Sequence, residues 1–205
     1  MSMFKRLSSK LQGSKQLLQG LIEQYLIFNS EIRAVTLRKK MVLLLCKLAE
    51  SRIEQITSLV PGADEGLIAT IEHKGIKARI HFTPEKITLT EDTVKGELRL
   101  LNPPQFESDS LVYSYLIAGW QMFLGGKVPN GVLPKGVKLE NNKIFYTLPR
   151  NELKVLEALF STLENGSTLH TSIEQGDLTI VSSVILHENQ FNLQSLLQVL
   201  NLKFV

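Results

Sequence analysis

Residues 108–126, SDSLVYSYLIAGWQMFLGG, constrain the fold more than any other stretch of this chain. They include the only tryptophan, Trp120, and between Leu111 and Leu124 only Ser114 and Gln121 are clearly polar. A helix that is apolar all round must be covered all round, so this stretch predicts a buried helix with sheet folded against it. Ser108 or Asp109 can cap its start, and Gly125-Gly126 can end it. The run is shorter than the roughly 20 residues of a membrane span. It also fails as a phosphate loop. The spacing from Gly119 to Gly125-Gly126-Lys127 is too long, Val128 has no hydroxyl for magnesium, and the glycines close a helix where a phosphate loop opens one.

What folds against the helix is legible as sheet. From Leu67 the hydrophobic period becomes two. Ile76, Ala78, Ile80 and Phe82 alternate with Lys77, Arg79 and His81. Ile87 and Leu89 alternate with Thr88 and Thr90, and Val94, Gly96, Leu98 and Leu100 alternate with Lys95, Glu97 and Arg99. Turns are expected at His73-Lys-Gly75, Thr83-Pro84-Glu85 and Glu91-Asp92-Thr93. Strict alternation between tight turns describes an antiparallel meander with one dry and one wet face. Asn102-Pro103-Pro104 stops it. Two hairpins follow, at 137–148 around Asn141-Asn142 and at 169–186 around Glu174-Gln-Gly-Asp177, with helices at 152–163 and 192–200 and a terminal strand at 202–205.

The N-terminal quarter reads differently. Phe4, Leu7, Leu11, Leu18, Ile22 and Tyr25 keep helical spacing over 3–28, and Val35 to Leu59 continue it over 31–59 until Pro61-Gly62. Residues 1–52 carry ten Lys and Arg against three acids, although the whole chain is only +3. Such asymmetry points to an anionic partner for this arm.

Recognised catalytic patterns are missing. No serine sits in a G-x-S-x-G elbow, and His73, His81, His170 and His187 form no compact metal pair and read as solvated side chains. The single cysteine, Cys46, lies in an apolar helical run and reads as a small core residue. One cysteine allows no internal disulfide, which fits a reducing compartment. The wet face of the meander gathers Lys77, Arg79, His81, Lys95 and Arg99, without the exposed aromatics that an RNA-binding sheet uses for stacking.

The fold expected is therefore α+β: an antiparallel β meander and hairpins packed around a buried central helix, with a helical N-terminal segment. Residues 1–61 form the basic amphipathic helical segment and residues 62–205 the α+β domain. In architecture alone this is similar to hot-dog folds, sterol-carrier-like domains and tubular lipid-binding domains. The function expected is a non-enzymatic binding module for an apolar or amphiphilic, lipid-like ligand, cytoplasmic, with association at an anionic membrane surface. Tyr113, Tyr115, Trp120, Met122 and Phe123 are the pocket candidates. Lys5, Arg6, Lys10, Lys15, Lys77, Arg79, Lys95 and Arg99 are the candidates for an anionic surface. No catalytic residue, metal ligand, cofactor or nucleic-acid partner is expected. The alternatives are an assembly protein that associates through its N-terminal helices, for instance as a homo-oligomer, and an enzyme built from dispersed residues.

Overall fold

The alternation between Leu67 and Leu100 becomes antiparallel sheet, built around one long strand. The computed structural model describes residues 24–29, 31, 34–73, 75–108, 110, 136–140, 142–150 and 165–183. In chain order the elements are β1 (Leu26–Asn29), β2 (Ala34–Leu37), α1 (Lys39–Arg52), β3 (Ile56–Pro61), β4 (Leu67–His73), β5 (Ile76–Leu89), β6 (Thr93–Leu100), β7 (Gln105–Ser108), β8 (Val137–Glu140), β9 (Lys143–Pro149), β10 (Thr168–Glu174) and β11 (Asp177–Ser182). The fold is broadly α+β, mostly antiparallel sheet with one helix among the described residues.

The turn expected at Thr83-Pro84-Glu85 is not a turn. Residues 76–89 form one continuous strand, irregular between Pro84 and Lys86. Pro84 faces Leu98, Lys86 faces Glu97, and Glu85 is the extra residue of a bulge. A proline has no amide hydrogen for the ladder, so a bulge accommodates it. The bulge also shifts the side-chain parity. Ile76, Ala78, Ile80 and Phe82 share a face with Leu100, and after the extra residue Ile87 and Leu89 return to that face beside Gly96 and Val94. Without it, a period of exactly two would turn Ile87 and Leu89 to the wet side.

The long strand has different neighbours along its length. Its first half lies between β4 and β7, and its second half between β6 and β10. The larger assembly runs β1-β2-β11-β10-β5-β6-β9-β8, and β3-β4 and β7 attach to the first half of β5. Strand β7 was not expected. After Asn102-Pro103-Pro104 the chain returns to β5, with Gln105 opposite Arg79 and Ser108 opposite Ile76. The prolines end β6 without preventing a new strand on another stretch of the same partner.

The helical N-terminal segment needs correction where it is described. Residues 26–29 and 34–37 are strands β1 and β2, and the helix read over 31–59 is confined to Lys39–Arg52, with β3 following. Runs of four to six apolar residues satisfy both periods, and Ile27, Val35 and Thr36 are strand-forming types. Strand β2 is selected by a partner distant in sequence: Val35 pairs with Ile180 and Leu37 with Leu178 on β11. Residues 3–23, the central helix over 111–126, the helices at 152–163 and 192–200, and residues 202–205 lie outside the described residues.

One core joins these elements. Leu26, Val35, Leu37, Met41, Val42, Cys46, Leu89, Val94, Leu169 and Ile180 pack together. Helix α1 presents Met41, Val42 and Cys46 to this core. Its first turn has no acidic residue, and its N-cap, Arg38, makes no side-chain cap. The cap comes from the distant hairpin instead. Asp177 Oδ1 accepts the Lys39 amide hydrogen at 2.7 Å, and Oδ2 pairs with Arg38 at 3.2 Å. A carboxylate at this end satisfies a free amide and complements the helix dipole, an effect of about 1 kcal/mol. The hairpin itself follows the expected chemistry: Gln175 and Gly176 both have positive φ, 51° and 89°, as a two-residue primed turn requires. Burial raises the Cys46 thiol to about 11, with a smaller contribution from Glu50, so this cysteine behaves as core and stays protonated.

Candidate functional site

The wet side of β5 divides into two zones at the bulge. Beyond it lies a chain of ion pairs. Arg99 reaches Glu65 and Glu85, each at 2.7 Å. Lys143 holds the other oxygen of Glu85 at 2.7 Å and approaches Glu97 at 3.7 Å, and Lys86 stands 3.9 Å from Glu97. The bulge places Glu85 between two cations, so its carboxyl lies below the usual range, chiefly through the Lys143 hydrogen bond and then that of Arg99. The same contacts raise Arg99 and Lys143, with Glu85 the leading cause for both.

A depressed carboxyl stabilises the fold above its unfolded value, and the benefit disappears as pH falls through the folded value. Glu85→Gln is therefore expected to lower the urea midpoint at pH 7. The two proteins should converge as pH drops below the ordinary carboxyl value of 4.5. The pairs are a quarter to two-fifths exposed, so the shift should be small. Urea titrations of both proteins from pH 7 to pH 3 check this, and a gap that persists at low pH would exclude the ion-pair origin.

Before the bulge lies a cleft of about 750 Å³, lined among the described residues by Ile68, Arg79, His81, Asn102, Pro103, Pro104, Gln105, Phe106 and Glu107. Its floor is the wet face of β4, β5 and β7. The connection from β6 to β7 forms a wall, kept stiff by two adjacent prolines. His81 ties two loops together at the rim. The Asn102 amide lies 2.9 Å from Nδ1, and the Glu65 carbonyl lies 2.9 Å from Nε2. With the Asn102 amide nitrogen donating to Nδ1, Nε2 carries the hydrogen and donates to the carbonyl. Half-buried and occupied at both nitrogens, His81 is a clamp, in contrast to the solvated side chain expected of it. Glu65 belongs to both zones, with its carboxylate on Arg99 and its carbonyl on His81.

By register the basic residues of the meander fall on one face of the sheet but on different stretches of it. Lys77 and Arg79 lie on the half of β5 flanked by β4 and β7, and Lys95 and Arg99 lie on β6, which pairs with the other half. Lys77 is opposite Glu72 and Glu107, and Lys95, exposed, is opposite Thr88 and Thr147. Arg79 is opposite Thr70 and Gln105, in a row without another charge, and makes no ion pair among the described residues. Tyr113, Tyr115, Trp120, Met122, Phe123, Lys5, Arg6, Lys10 and Lys15 lie outside the described residues. His170 is exposed on β10. Among the described residues no three of His, Cys, Asp and Glu gather as a metal site, and no helix is long and apolar enough to cross a membrane.

Sequence reasoning had placed Arg79 and His81 on the wet face. It did not find Asn102, Pro103, Pro104 and Gln105 as their neighbours. The double proline was the available signal, because a stiff connection between strands often walls a cleft. Compared with protein-family models, with curated proteins and with solved structures, the chain matches none of them.

Proposed function

We propose that this protein is a non-enzymatic binding module for a small amphiphilic ligand, held in the cleft between the wet face of β4-β5-β7 and the Asn102–Pro104 connection. The observation that carries the reading is the composition of that cleft. Ile68, Pro103 and Pro104 offer apolar surface, and Arg79, Asn102 and Gln105 offer hydrogen-bond donors. A volume of about 750 Å³ falls in the usual range for small-molecule sites. The only histidine among the described residues of the cleft is engaged at both nitrogens, which favours binding over proton transfer.

Organic extraction of the purified protein followed by mass spectrometry tests the reading, together with uptake of a fluorescent fatty acid. A co-purifying amphiphile, or saturable uptake that shifts the His81 imidazole resonance, is the expected result. Empty protein that takes up no probe would sink it.

A second reading, association of copies through the N-terminal segment, draws on β1. This strand stands at one end of the sheet order with Ile27 exposed. Sedimentation of the full chain over a wide concentration range tests it, and a constant monomer would rule it out.

A further inference from the structure

We infer that the cleft takes a monocarboxylate through Arg79, with an apolar body lying on Ile68, Pro103 and Pro104. This rests on the amphiphile-binding reading and specifies its head group. The argument begins with the charge pattern of the wet face. Arg99 is held by two carboxylates, and Lys143 and Lys86 share Glu97. Lys77 stands between Glu72 and Glu107 on its cross-strand row. Arg79, exposed on the floor of the cleft, has only Thr70 and Gln105 on its own row. It is the only Lys or Arg among the described residues lining the cleft.

A guanidinium is a planar fork of donors that matches a carboxylate in two parallel hydrogen bonds. Gln105, directly opposite, and Asn102, whose amide spends one hydrogen on His81, supply further donors on the same side. The site is poorly equipped for a dianionic phosphate. Phosphate sites draw on backbone amide groups or several cations. Here Arg79 lies within the β4-β5-β7 ladders, so the surrounding amides serve the sheet. Among the described residues the cleft provides one cation, and Glu107 places a negative charge in the same lining. One cation beside one carboxylate favours a ligand of single negative charge.

The test uses the full chain and three probes with the same tail: octanoate, octan-1-ol and octyl phosphate. Binding is measured by calorimetry, with the His81 imidazole resonance as a reporter inside the cleft. Octanoate is expected to bind, and Arg79→Met to weaken it by about 10- to 100-fold. Arg79→Lys, which keeps the charge and loses the fork, should give a smaller loss. Octan-1-ol should be insensitive to both substitutions, and octyl phosphate should bind more weakly than octanoate. Undiminished octanoate binding by Arg79→Met, with the His81 resonance still moving, would overturn the head-group assignment and leave the cleft reading standing. Tighter, Arg79-dependent binding of octyl phosphate would overturn the carboxylate class. Failure of all three probes, with His81 unmoved, would remove the cleft reading itself.

Discussion

Gly96→Ala is expected to destabilise the fold by about 1–3 kcal/mol, the usual cost of forcing an extra methyl group into packed surroundings. Gly96 lies on β6 directly opposite Tyr146 on β9, on the dry side of the sheet. The Tyr146 ring lies across the glycine, and a Cβ there would overlap ring carbons and the hydroxyl. Burial raises the Tyr146 phenol above its ordinary value, in keeping with a ring enclosed by protein. Moving the ring aside would give up part of its burial, and that loss sets the cost of relieving the overlap. Chemical denaturation of Gly96→Ala against the parent measures the loss. The decisive comparison is Gly96→Ala combined with Tyr146→Leu, since a smaller side chain removes the overlap. If the ring is the cause, the double variant should lose less than the sum of the two single changes. Simple additivity would show that the glycine is needed for another reason.

Leu169→Ala is expected to have the largest effect on stability, about 2–5 kcal/mol. Leu169 is fully buried, and it pairs with Ile87 on β5 and Ser182 on β11. It therefore stands where the hairpin β10-β11 joins the long strand, in one core with Leu37, Met41, Leu89 and Val94. Truncation would leave a cavity between elements that other packed side chains hold apart. A domain is commonly stable by only 5–15 kcal/mol, so the variant approaches the limit of folding. Thermal and urea unfolding check the magnitude. His170→Ala on the exposed face of the same strand is the control, with little expected change. Similar losses for both would mean that the dry and wet faces of β10 are not distinguished as the burial pattern indicates.

These effects act on the scaffold that places the cleft. Strand β5 carries Arg79 and His81 before its bulge and Glu85 at the bulge. The Glu65 carboxylate and carbonyl connect the ion pairs to the His81 clamp. The Asn102–His81 contact ties the wall of the cleft to its floor, and Glu65 fixes His81 from outside, a further layer of support that keeps binding groups in place.

The elements that could be read from the chain are those specified locally. The hairpin β10-β11 has a clean alternation, with Leu169, Thr171 and Ile173 buried and His170, Ser172 and Glu174 exposed, and Gln175-Gly176 close it. Strands β8 and β9 and the turn at Asn142, with φ of 65°, follow the same rules. In each case a few adjacent residues determine both the face and the turn, because side-chain direction and turn conformation depend on nearby backbone angles. The sequence by itself also placed Arg79 and His81 on a wet face.

Tertiary structure decided the rest. Strands β1 and β2 exist because β11 offers a partner about 140 residues away. Pro84 forms a bulge where a turn was expected, because β6 continues past it and holds the strand straight through. Asp177 caps a helix that has no cap of its own, and Glu85 finds its cations only once β6 and β9 are in register. The same is true of the cleft. Arg79 and Lys77 look alike in the sequence, and only the registers of β4 and β7 show that Lys77 has acids directly opposite it and Arg79 has Thr70 and Gln105. Local rules assign a residue to a face, and the charge it meets there depends on strands that the chain brings in from elsewhere.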